Sequence, residues 1–157
     1  MLQFIDRADK NHHAVTTVTL PIEKRIKSRL RVALDDGRDA GIVLARGEVL
    51  QHGDKLQTSQ GEVIEVVAAA ETLSQVRCHD MQSFARACYH LGNRHVPVEI
   101  VADAGTIGVV SYLHDHVLDD MIKGFGLEVT VAEAPFNPEP GAYGGGHVHG
   151  HSHGHSH

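Results

Sequence analysis

Short runs of apolar and polar residues alternate through the first half of the chain, with turn residues between them. Val15 to Leu20 (VTTVTL) is rich in β-branched side chains. In Ser28 to Leu34 (SRLRVAL), Leu30, Val32 and Leu34 fall on one face and Arg29 and Arg31 on the other. A period of two predicts a half-buried strand. Asp35-Asp36-Gly37 predicts a turn, and Gly41 to Ala45 (GIVLA) a short apolar strand. Gly47, Gly53 and Gly61 punctuate the next segment, and Glu62 to Ala69 (EVIEVVAA) predicts a further strand. Many short strands with frequent turns predict a small sandwich or barrel, here an all-β domain over residues 1–70.

The period changes in the second half. Glu71 to Arg77 (ETLSQVR) reads as a strand. Asp80 is placed to cap a helix carrying Met81, Phe84, Ala85, Cys88 and Leu91 at helical spacing, with Gly92 and Asn93 as its stop. Val96 to Val101 (VPVEIV) alternates despite Pro97, and Ile107 to Tyr112 predicts another strand after the loop 102–106. Val117, Leu118, Met121, Ile122 and Phe125 give His114 to Phe125 a helical stripe, and Glu128 to Ala132 (EVTVA) a last strand. The order β-α-β-β-α-β is the ferredoxin-like arrangement, expected over residues 71–136. The fold class is therefore α+β. FNPEPGAYGGG then reads as a linker, and residues 137–157 as a flexible, disordered His-rich tail.

Composition narrows the chemistry. With 4% aromatics and no Trp, a core must rest on Val, Leu and Ile. A formal charge of −6 argues against nucleic acid and favours cations. No apolar run approaches the roughly 20 residues of a membrane span. MLQFIDRADKNHH lacks the shape of a signal peptide. Cys78 and Cys88 form no CxxC pair, so they read as reduced thiols in a cytoplasmic protein, small buried residues rather than ligands.

The most unusual stretch is the last one. HVHGHSHGHSH places imidazoles at His147, His149, His151, His153, His155 and His157, with only Val, Gly or Ser between. Such a segment has no means of building a core but presents many nitrogen donors. Imidazole suits nickel, zinc and copper(II) without any thiolate. A purification tag is an unbroken run of histidine, and this tail is not; a solvated tail without function is the other bland reading. With a free imidazole pKa near ~6.5, the tail should ligate at neutral pH and release metal below about pH 6.

Other histidines fall inside the folded part. His90 and His95 lie in YHLGNRH. His90 on a last helical turn is explained equally well by the helix dipole, worth ~0.3–1 kcal/mol. His95 lies in a polar turn, well placed to grip an ion. His114 and His116 (HDH) share a face only where the backbone is extended, so a metal site there requires the strand-to-helix junction to fall near Asp115. Capping by Asp115 beside two surface histidines is the alternative. His116 and Asp120 would meet on one helical face. His12, His13, His52 and His79 read as solvated or structural. HExxH, GxSxG, P-loop and GxGxxG motifs are absent. His95, His114 and His116 supply the three ligands of a catalytic zinc only on paper, since no carboxylate is placed as a general base.

At these residues the chain resembles the urease accessory metallochaperones of the UreE family. YHLGNRHVPVEI (89–100) and HDHVLDDMIKGFGLEV (114–129) carry the resemblance, joined by KSRLRVALDDGRDAGIVLARGEVLQHGD (27–54) and the His-rich tail. It covers nearly the whole chain. The loop 102–112 (ADAGTIGVVSY) departs from it, being longer and more apolar. The resemblance implies a homodimer in which His95 of each subunit meets its counterpart across the two-fold and binds one nickel(II) ion. It implies secondary metal sites at His114 and His116 and a place for His90 in the same motif; dimer against metal-bridged tetramer is not legible in the sequence. It also implies a small N-terminal domain that binds partner polypeptide, and delivery to apo-urease through an accessory GTPase. No bond chemistry is implied, so the chain is expected not to be an enzyme. A flexible linker of about ten residues spans roughly 17–19 Å, giving the tail an effective concentration near the millimolar range at a site within reach. The competing class is a nickel or zinc buffer, which has use for the tail but none for a defined symmetric site. Selectivity for nickel over zinc or copper(II) is not legible, because copper(II) outcompetes nickel at most nitrogen sites.

Overall fold

The computed structural model describes residues 2–142. The N-terminal part contributes β1 (Leu2–Ala8), β2 (Thr16–Leu20), the single-turn helix α1 (Ile22–Arg25), β3 (Arg29–Ala33), β4 (Asp39–Val43), β5 (Lys55–Thr58) and β6 (Val63–Ala68). These strands form one sheet in the order β2-β6-β5-β1-β4-β3, with β1·β4 and β2·β6 parallel. Alternation along the strands sends Phe4, Val18, Val32, Ile42, Leu56, Ile64 and Val66 into a common core, while Arg29 and Arg31 stay outside as their period predicts. The two edge strands are tied to each other by Asp35. Its amide donates to the Thr17 carbonyl at 2.9 Å, and the Thr17 and Thr19 hydroxyls donate to its carboxylate at 2.5 and 2.8 Å. The Thr17 hydrogen bond above all holds the Asp35 carboxyl below the usual carboxylate range.

The C-terminal part follows after Ala69 alone: β7 (Ala70–Cys78), α2 (Met81–Asn93), β8 (Glu99–Val101), β9 (Gly108–Leu113), α3 (His116–Gly124) and β10 (Val129–Pro135). Its four strands pair antiparallel in the order β10-β7-β9-β8. Both helices cover the face that carries Val76, Cys78, Val110 and Tyr112. The buried stripe of α2 is Phe84, Ala87, Cys88 and Leu91. Met81 and Ala85 are exposed, contrary to the stripe expected from the sequence. At about 100° per residue, Ala85 lies a quarter-turn away from Phe84, and Met81 stands in the first turn. The Phe84 ring crosses β9 so closely that a Cβ on Gly108 would come within 2.7 Å of it.

The expected strand Val96–Val101 is reduced to Glu99–Val101. Pro97 has no N–H to give a ladder, the Val96 N–H turns back to Leu91, and the Val98 carbonyl accepts from Glu139 at 2.7 Å. The apolar residues of the loop 102–112 are explained by β9, a central strand whose Val109, Val110, Ser111 and Tyr112 are all buried.

The two parts share a small core of Ile22, Leu73 and Phe136, flanked by Ile26, Val49 and Ala134. Through this contact runs Arg25, fully buried. Its guanidinium donates to the carbonyls of Leu20 and Leu50 on one side and Phe136 on the other. No helix among the described residues is long and apolar enough to cross a membrane.

Candidate metal centre

The site begins where α2 ends. Asp80 caps the helix start, accepting from the Ser83 amide at 2.8 Å. At the other end Gly92 and Asn93, expected as the stop, are still helical; Arg94 is the cap and His95 takes the left-handed conformation, φ +57°. The Val96 amide bonds the Leu91 carbonyl at 3.1 Å and the His95 amide bonds the Gly92 carbonyl at 2.9 Å. That pair of bonds is the Schellman motif, with His95 where glycine is usual. Val96 and Leu91 both pack in the domain core, which adds the apolar contact the motif favours. Among the described residues His95 is the one non-glycine with positive φ, and holding it there costs on the order of 1 kcal/mol. The core contact and the paired carbonyls outweigh that cost and leave the imidazole exposed.

The second histidine stands at the end of β9. The His114 amide donates to Thr72 at 3.0 Å, extending the strand ladder one residue. Its Nδ1 lies 3.0 Å from Ser74 Oγ and 3.3 Å from Asp119 Oδ2. Asp119, 5% exposed, also accepts the Tyr112 hydroxyl at 2.8 Å. Burial, then the Asp119 contact, push the Tyr112 hydroxyl far above its usual range, so it remains a donor. The junction between strand and helix falls on Asp115, whose carboxylate accepts from the Val117 and Leu118 amides at 2.8 and 3.1 Å. His114 is therefore extended and His116 is the first residue of α3, exposed to solvent.

His95 and His114 line one open cleft of about 330 Å³, with Val96, Pro97, Leu113 and Leu118 as its apolar walls and Asp115 at its side. His116 and His90 do not line it. The His90 ring is stacked on Phe125 with centroids 4.2 Å apart. Among the described residues no three His, Cys, Asp or Glu side chains gather closely enough to hold an ion, so these residues of one chain do not complete a coordination shell.

The remaining histidines have structural surroundings. His52 Nδ1 accepts the Ala68 amide at 3.3 Å, His79 Nδ1 lies 3.2 Å from the Gly105 carbonyl, and His12 and His13 are exposed in a loop. Cys78 is buried and Cys88 half-buried; both are free thiols, and burial pushes both up. The tail histidines, His147 to His157, lie outside the described residues. Ser74, Tyr112 and Asp119 escaped the sequence reading: they are ordinary core-facing positions, and no local spacing ties them to His114.

Comparison with known families covers both parts of the chain. The model of the UreE urease accessory protein N-terminal domain matches residues 2–69, and that of the UreE C-terminal domain matches residues 71–157. The chain belongs to the UreE family. It is 57% identical over 145 residues to the urease accessory protein UreE of Alkalilimnicola ehrlichii, covering 92% of this chain and 86% of the relative. It is 54% identical over 144 residues to that of Enterobacter sp., covering 91% of each. To the Citrobacter koseri protein of the same name it is 52% identical over 153 residues, 95% and 97% of the two chains. UreE proteins are accessory to urease and not catalysts, so the hydrolase reading falls away.

Proposed function

We propose that this chain is a nickel(II) metallochaperone that delivers its ion to apo-urease while the urease active site is assembled. One observation carries the reading: His95, held outward at a left-handed helix end, and His114 line the same open cleft. Two imidazoles on a solvent-open surface bind an ion without enclosing it, which suits a carrier that must release its cargo. The missing donors come from a second copy, with the two His95 rings meeting across a two-fold. Self-association is supported by the exposed α2 row Met81, Ala85 and Tyr89, of which Met81 is 64% and Tyr89 66% exposed. His116, beside the cleft, and His90 are secondary donors. The tail histidines collect ions and pass them on or complete the shell. Zinc and copper(II) compete for the same nitrogens.

The domain reading goes with this function. An N-terminal β domain over 1–70 offers a surface for partner polypeptide, and a ferredoxin-like domain over 71–136 carries the metal cleft. The latter is supported by its β-α-β-β-α-β order and its strand order β10-β7-β9-β8. The expected partners are the accessory GTPase and the apo-urease complex, in the cytoplasm.

The test is nickel bound per protomer at neutral pH on a chain truncated after Tyr143, with and without His95→Ala. About half an ion per protomer, lost in the variant, is the expected result for a dimer sharing one ion. Binding confined to the tail would leave a metal buffer instead.

A further inference from the structure

The buried polar chain behind the cleft belongs to no part of the function so far. The Tyr112 hydroxyl donates to Asp119 Oδ1, and Asp119 Oδ2 stands 3.3 Å from His114 Nδ1, to which Ser74 Oγ is hydrogen-bonded. Tyr112 and Ser74 are fully buried and Asp119 nearly so, whereas the His114 side chain is 40% exposed. The imidazole thus has an inner nitrogen, Nδ1, turned to the protein, while its residue lines the open cleft.

We propose that Asp119 is a positioning residue for His114: it holds the ring proton on Nδ1 and so leaves the Nε2 lone pair for the metal. This rests on the reading of the cleft as a nickel site. Two groups stand near Nδ1, and they are not equivalent. A serine hydroxyl donates or accepts, so Ser74 at 3.0 Å is compatible with either tautomer. A carboxylate only accepts, so Asp119 at 3.3 Å is favourable only when Nδ1 carries the proton. The Tyr112 donor fixes the carboxylate from behind by occupying its other oxygen. A carboxylate that orients an imidazole and sets its tautomer is the common outer shell of histidine metal sites, and losing it typically weakens binding 10–100-fold. Burying a carboxylate is a poor source of stability, which leaves positioning as the reason for this one.

The experiment uses the full-length protein, labelled with ¹⁵N in its histidines, at about pH 8, where a free imidazole is neutral. Wild type should show His114 protonated on Nδ1. Asp119→Asn keeps an acceptor for Tyr112 but turns an N–H₂ toward the ring, and should move the proton to Nε2. Ser74→Ala, which removes the ambiguous partner, should leave it on Nδ1. Titration with nickel chloride, read at the His114 ring signals and expressed against free nickel because the tail also takes up the ion, should need about 10–100 times more free nickel in Asp119→Asn. A wild-type ring protonated on Nε2, or a ring unchanged by Asp119→Asn, overturns the proposal and leaves His114 standing as a ligand. A proton that moves as expected while nickel leaves the His114 signals untouched in every variant overturns the underlying reading of the cleft.

Discussion

His95 sits in a conformation that glycine would occupy more easily. The strain is a property of the backbone, and the imidazole is what it supports, so the two are separable. His95→Gly should remove nickel binding at the cleft yet raise unfolding stability by about 1 kcal/mol, seen as a higher melting temperature by calorimetry. His95→Ala should lose the ion with no such gain, because alanine keeps the left-handed penalty. Equal melting temperatures for the two variants would show that the turn is not strained. The polar turn singled out His95, but its φ was not legible: GNRH offers a glycine and an asparagine as better stops, and the core contact of Val96 moves the helix end past both.

The strands and helices were read most reliably where a period was long enough to count, as in β3 and α3. β1 and β5 were not read. β1 buries only Phe4, and β5 is four residues long with Thr58 as half of its inner face. Their place in the sheet comes from neighbours, not from pattern. The same holds for the seam that Asp35 makes between β2 and β3. Its carboxyl is depressed in the folded state, so its contribution is present above the unfolded value near ~3.9 and is lost as pH falls through the lower folded value. Asp35→Asn should lower stability at neutral pH and flatten the loss of stability with acid below about pH 4, in urea titrations across that range. A variant whose acid limb is as steep as wild type would assign that limb to other carboxylates.

The two halves are held together by a small apolar contact and one buried guanidinium. Arg25 reaches the Phe136 carbonyl from α1, across most of the length of the chain. Arg25→Met keeps volume but leaves the carbonyls of Leu20, Leu50 and Phe136 without this donor, at a cost of about 3 kcal/mol or more. Scanning calorimetry should then separate one unfolding transition into two, as the β-rich half and the cleft-bearing half lose their coupling. A single transition at the wild-type temperature would mean that the apolar cluster alone couples them.

Periodicity, turn glycines and histidine density are local properties, written into successive residues by the geometry of the backbone. They are why the β-rich first half and the alternating order of the second could be read in advance. The cleft is not local. That His95 and His114 line it together, that Asp119 and Tyr112 stand behind one of them, and that Arg25 meets Phe136 depend on how distant elements pack. Packing is decided by the joint burial of many side chains, which no spacing along the chain encodes.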